Sequence, residues 1–258
     1  MLFRSEESRG YGDMFRTKRC RYSKEYCRYF DQEMEDAQFF LSPSSFVDRM
    51  IMKHHVQPQQ IYRCSYGVNL KDFQYCHKQK NENEVVNFVF TGKIEAAKGV
   101  VYLIKAFDRL AEKRNDFKLY LVGANSMDNQ EFLSRDYIQN VGYLNKEQLI
   151  ELYKDMDVFV LPSLWEGKSL SAMEALASGM CLIVSESSGI DEVVRESEAG
   201  KVVPAQDETA LLSAVEWVLM HKDQISVMSE HARTAVENCS WDDYYKSVQN
   251  ALLDILTK

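Results

Sequence analysis

The sequence predicts an α/β domain built on a parallel, doubly wound sheet. Two observations predict it. Short runs apolar on both faces recur along the chain: VVNFVF at 85–90, LYLV at 119–122, VFVL at 158–161 and CLIV at 181–184, each bounded by polar residues or glycine. Strands buried between two helix layers read this way, because neither face meets water. Helical patterns fill the gaps between the runs, and strand–helix alternation is what a parallel sheet with crossover helices requires. Together they place the domain at about residues 65–240.

The elements follow in order. Residues 14–37, basic in front and acidic behind, read as a helix, and 38–47 as a strand, a Pro-marked turn and a helix start. These are too few elements for a domain and must pack on something else. After the first core strand, the stretch 100–114 places Leu103, Ala106, Phe107 and Leu110 on one helical face. The stretch 146–156 does the same with Leu149, Leu152 and Tyr153. LPSLWEGKSLSAMEALASG, residues 161–179, runs from a strand end through a loop into a helix that starts near Ser169 and stops at Gly179. Three helical stretches close the chain at 207–220, 223–238 and 240–256, the last with Ser240 as N-cap and acidic residues in its first turn.

A chain of 258 residues, 45% hydrophobic and 27% charged, reads as a soluble globular protein of one or two domains. Its net charge of −8 argues against a general nucleic-acid binder. The basic front, FRTKRCRYSKEYCRYF, interleaves cations with aromatics. It could meet anionic lipid or a lipid-phosphate acceptor at the membrane surface, the alternative being a solvated helix face. The six cysteines are scattered, without C-x-x-C or zinc-finger spacing. We read reduced thiols, no metal site and a cytoplasmic location with at most peripheral membrane contact. The charged N-terminus lacks the apolar core of a signal peptide, and no run reaches the length of a membrane span. The five histidines have no catalytic context.

Two constellations could carry chemistry. In the first, the amides of about Ser169 to Ala172 open a helix above the end of the VFVL strand. Amides without intrahelical acceptors and the helix dipole favour an anion, typically phosphate. Glu166 lies in the approach loop and Glu174 just beyond the first turn. A carboxylate accepts two hydrogen bonds from adjacent hydroxyls, so two carboxylates flanking a phosphate site suit two sugars. The plain alternative is a helix carboxylate and a solvated loop glutamate. In the second, Gly92 allows a tight exit from the first core strand, and Lys93 and Lys98 follow on the same loop. Two cations would balance a diphosphate and stabilise it as a leaving group. Solvated lysines are the alternative.

These motifs resemble glycosyltransferase family 4. The resemblance rests on GKIEAAKGVVYLIKAF, then LVGANS, then the stretch 140–194, then GKVVPAQDETALLSAV and SWDDYYKSVQNAL, in that order, and extends back to residues 39–73. It implies a GT-B fold of two Rossmann-like domains and a retaining enzyme that uses a UDP- or GDP-sugar without a metal or other cofactor. It implies that Glu174 holds the ribose, Glu166 faces the donor sugar, and Lys93 and Lys98 hold the diphosphate. Glu166, Lys93 and Lys98 are then the catalytic candidates. The amides near Ser169, Leu170 and Ser171 would cap the phosphates, the loop at Gly142, Tyr143 and Leu144 would lie near the base, and Gly92, Gly167 and Lys168 would complete the donor site. The acceptor would be a saccharide or a lipid-linked sugar.

The sequence departs from that family in three places. Lys93 stands where arginine is usual and loses the planar fork. Lys168 and Ser169 replace an aromatic and a glycine, so Lys168 could add a phosphate contact. Only about 65 residues precede the donor domain. The expected division is 1–65 as a remnant of the N-terminal acceptor domain and linker, 66–240 as the nucleotide-sugar domain and 241–258 as a crossover helix. The leftover elements should then expose apolar surface or fold back on themselves. A truncated or split donor-binding module, needing a complementary N-terminal-domain chain, is the alternative to an active transferase.

Overall fold

A computed structural model describes residues 24–127 and 130–257. The basic residues ahead of Lys24, with Cys20, lie outside the described residues. The described chain begins with helix α1 (Lys24–Asp36), then β1 (Phe40–Ser42), α2 (Ser45–Met52) and β2 (Ile61–Arg63). β1 and β2 form a small parallel sheet of their own, Phe40 opposite Ile61. The large domain follows as β3 (Val86–Thr91), α3 (Val100–Ala111), β4 (Phe117–Val122), β5 (Ile138–Gly142), α4 (Lys146–Lys154) and β6 (Val158–Leu161). It continues through α5 (Leu170–Ala177), β7 (Cys181–Ser185), α6 (Asp191–Ser197), β8 (Gly200–Val203), α7 (Glu208–Met220) and α8 (Gln224–Thr234), and the chain closes with α9 (Trp241–Leu256).

The six strands of the large sheet are all parallel, in the order β5-β4-β3-β6-β7-β8. The chain winds outward from β3 to one edge, returns to the middle at β6 and winds to the other edge. Neighbouring β3 and β6 therefore send their exit loops to opposite faces, which opens a crevice at their carboxyl ends. The four strands read from the sequence are the four central ones. β6 and β7 are buried at every residue. The alternation missed β5 and β8 because both are edges: β5 exposes Gln139 and Asn140, and β8 is a four-residue strand only partly covered. It also missed β2, three residues long. On α3 the expected face is buried throughout, with Phe107 packed edge-on to Phe88 at 5.2 Å and to Phe117 at 5.5 Å between ring centroids.

The outer elements fold back on each other. Tyr66 stacks on Trp241 with 6.3 Å between ring centroids and meets Tyr244 edge-on, and the Tyr62 hydroxyl donates to Asp254. Ser240 caps α9 by accepting from the Asp243 amide at 3.1 Å. Apolar surface also stays open, as expected: Leu252, Leu253 and Leu256 on α9 and Leu41 on β1 are exposed. Cys64, Cys76, Cys181 and Cys239 are free thiols.

Two glycines with left-handed backbones separate strain from crowding. Gly99 has φ +72°, and a Cβ there would lie 1.9 Å from the Pro162 carbonyl oxygen; Gly142 has φ +76° with nothing within 4 Å. Gly142→Ala should cost about 1 kcal/mol, the price of the conformation alone. Gly99→Ala should cost more than about 3 kcal/mol, because two backbones must separate as well. Urea unfolding midpoints of the two variants check the difference.

Candidate functional site

The site is built where the topology opens the sheet. β3 leaves through residues 92–99, which make a short 3-10 turn at Ala96–Lys98 before Gly99 starts α3. β6 leaves through Pro162 to the N-cap Ser169 of α5. These two loops are joined backbone to backbone. The Leu164 amide donates to the Ala97 carbonyl at 2.9 Å, and Gly99 lies flat on the Pro162 carbonyl. The loop after β7 supports them from the other side: the Glu166 amide donates to Ser187 O at 2.9 Å and the Ser169 amide to Ser188 O at 3.3 Å. Gly189 packs on the Gly167 carbonyl, which also accepts from Ser44 Oγ at 2.5 Å.

On this frame Lys98 and Glu166 meet. The Lys98 ammonium donates to Glu166 Oε1, the same oxygen that accepts from Ser163 Oγ at 2.9 Å. The pair is largely withdrawn from water, Lys98 being 26% and Glu166 15% exposed at the side chain. Lys93 holds the outer edge of the same loop, 55% exposed and paired with Glu95 at 2.6 Å. Gly92 continues the ladder through its amide to Val122 O at 2.9 Å.

The start of α5 is narrower as an anion cap than the spacing predicts. The Ser169 amide is used by Ser188, and the Ala172 amide donates to the capping Ser169 Oγ at 3.2 Å. Leu170 and Ser171 remain as the first two helical residues, whose amides have no acceptor in the preceding turn. Lys168 does not stand out into solvent. Its side chain is buried and within electrostatic reach of Cys239, Arg63 and Glu192, and burial holds its ammonium below the usual lysine range.

One turn along α5 from Leu170, on the same face, Glu174 lines a cleft of about 310 Å³. Its other walls include Asn69, Asp72, Lys146 and Trp241. Lys146 is paired with Asp72 across this cleft. Burial pushes the Glu174 carboxyl up to about 7, with Lys146 opposing the rise. β5 ends at Gly142, and the loop after it presents an exposed Tyr143 and Leu144, which packs on the core. Ser163, Lys146 and Trp241 were missed from the sequence. Ser163 follows the strand in LPS and could have been read as an anchor for the loop glutamate; nothing local marks Lys146 or Trp241.

The family described as "Glycosyl transferases group 1" matches residues 74–235, well over half of the chain. Among curated proteins, an MMP alpha-(1->4)-mannosyltransferase of Mycolicibacterium hassiacum is 31% identical over 198 residues, which are 72% of this chain and 46% of that protein. The chain spans about half the length of the curated relatives it matches. Among solved structures, the sucrose-phosphate synthase of Thermosynechococcus elongatus superposes with a TM-score of 0.75 at 22% identity, over 93% of this chain and 63% of that one. Anabaena HepE in complex with UDP and glucose superposes with a TM-score of 0.73 at 12% identity, over 90% and 68%. At these identities the structural likeness shows the fold, an α/β domain of the GT-B type.

The raised Glu174 carboxyl makes a pH prediction. Between its ordinary value of 4.5 and about 7 the folded protein binds more protons at Glu174 than the unfolded chain does. Stability therefore falls as pH rises through that window and levels off above it. Relative to Glu174→Gln, which does not titrate, the wild-type protein should lose about 3 kcal/mol between pH 4.5 and pH 8. Unfolding curves of both proteins across that range measure the difference.

Proposed function

We propose that the chain binds a nucleotide sugar and takes part in its transfer, from the premise that it belongs to the glycosyl transferases group 1 family. The donor is a UDP- or GDP-sugar, the acceptor a saccharide or lipid-linked sugar, and the transfer proceeds with retention. The observation that carries this reading is the joining, at the switch point of the sheet, of the loop that bears Lys98 to the loop that leads into α5, whose first amides at Leu170 and Ser171 have no acceptor in the preceding turn and which carries Glu174 one turn beyond.

The parts divide the donor between them. The first amides of α5 and the cation of Lys98 take the diphosphate. As the bond between the sugar and the phosphate oxygen breaks, charge builds on the departing diphosphate, and donors already in place stabilise it without a divalent ion. Lys93 is a second, more exposed cation on the same loop. Glu174 accepts the ribose hydroxyls in the cleft beside Asn69 and Trp241. Glu166 faces the donor sugar, with Gly167 and the loop to Ser169 shaping that pocket, and Tyr143 covers the base. The buried Lys168 supports the loop from behind.

The acceptor belongs to a second domain facing this crevice, in the same or a complementary chain. The exposed leucines of α9 and Leu41 of β1 are apolar surface of the kind a covering partner would bury. The free thiols suit a reducing, cytoplasmic setting, with the membrane surface as the place where a lipid-linked acceptor is met.

Calorimetric titration with UDP and GDP tests the reading. One of the two should bind, and Glu174→Ala should weaken it at least about tenfold, the loss of a buried hydrogen-bonded contact. Failure of both nucleotides to bind the folded protein contradicts the donor site.

A further inference from the structure

We propose that Glu166 is a built-in competitor of the diphosphate for Lys98, and that this competition favours the sugar-bearing donor over the spent nucleoside diphosphate. The inference rests on the donor-site reading above.

The geometry makes Glu166 the fixed partner and Lys98 the mobile one. The Glu166 backbone is tied to Ser187 O at 2.9 Å, and Oε1 is held by Ser163 Oγ at 2.9 Å. Ser163 is itself buried and tied through its carbonyl to Ser185 Oγ at 2.5 Å. Lys98 stands at the end of a three-residue turn with four methylenes between its backbone and its charge. An anion at the α5 start draws Lys98 away from Glu166, and Glu166 cannot follow. The anion must therefore replace a pair already made and partly withdrawn from water.

What Glu166 is left with then decides the balance. A donor carries a sugar whose hydroxyls give Glu166 new hydrogen bonds as Lys98 departs. A nucleoside diphosphate carries none, and leaves a half-buried carboxylate with the Ser163 hydroxyl alone. Glu166 retakes Lys98 once the sugar has gone, and the diphosphate loses its cation. Glu166 thus links the state of the sugar subsite to affinity at the phosphate subsite, and aids product release.

Titrations of the wild-type chain, Glu166→Gln, Glu166→Asp, Lys98→Ala and the Glu166→Gln/Lys98→Ala double variant with UDP and with GDP test this. Glu166→Gln keeps the shape and removes the charge, so it should bind the wild-type nucleotide about three- to tenfold more tightly. Glu166→Asp, which keeps the charge but shortens its reach, should fall between the two. The gain should vanish in the Lys98→Ala background. Equal or weaker binding by Glu166→Gln and Glu166→Asp, with the wild type binding normally, overturns the competition and leaves the donor site standing. A gain that survives Lys98→Ala overturns it as well. No binding by any of the proteins overturns the donor-site reading and this inference with it.

Discussion

The loop leaving β3 and the loop leaving β6 touch through their backbones, and the site depends on that contact. It is possible because Gly99 has no side chain: its Cα rests on the Pro162 carbonyl, and two residues away the Ala97 carbonyl accepts from Leu164. Parallel topology creates the crevice, but the close approach fills it with chemistry. It sets Lys98, on one loop, against Glu166, on the other. The loop after β7 adds the third wall, with Gly189 on the Gly167 carbonyl and two serine carbonyls accepting from Glu166 and Ser169. Three strand exits thus hold one another in place, and the start of α5 inherits its direction from them.

The charges divide into two kinds. The Lys98–Glu166 pair is partly withdrawn from water and has a hydroxyl on its carboxylate, so its energy exceeds that of the exposed pairs elsewhere, such as Lys154–Glu151. Glu174 has a weaker electrostatic partner: burial raises its carboxyl and Lys146 opposes the rise only in part. A carboxyl raised to about 7 by burial is an unfavourable arrangement in the free protein, and under the proposed function the ribose hydroxyls would relieve it by replacing lost water. Sites of this kind trade stability for binding.

Much of this was legible in the residues. The four central strands are buried on both faces, and burial of that kind writes itself as an unbroken apolar run. The start of α5 was legible because Ser169 is an N-cap and Gly179 a helix stop. β5 and β8 were not legible, since an edge strand keeps polar residues and its run is broken at Gln139 and Asn140. The pairing of Lys98 with Glu166 was not legible either. The two residues lie 68 positions apart, and only the order of strands in the sheet brings them together. The orientation of Lys168 escaped for the same reason: its surroundings, Arg63, Glu192 and Cys239, come from three distant segments. Local pattern specified the elements, and topology assembled the site.

The proposed donor site requires the loops after β3 and β6 to form one phosphate-binding unit with the start of α5. Amide chemical shifts of the ¹⁵N-labelled chain during addition of UDP or GDP test it most directly. The largest shifts should fall on Leu170 and Ser171, with the residues around Lys98 moving in the same titration and with one affinity. Shifts confined to other surfaces, or none at these amides while a nucleotide binds, would contradict it.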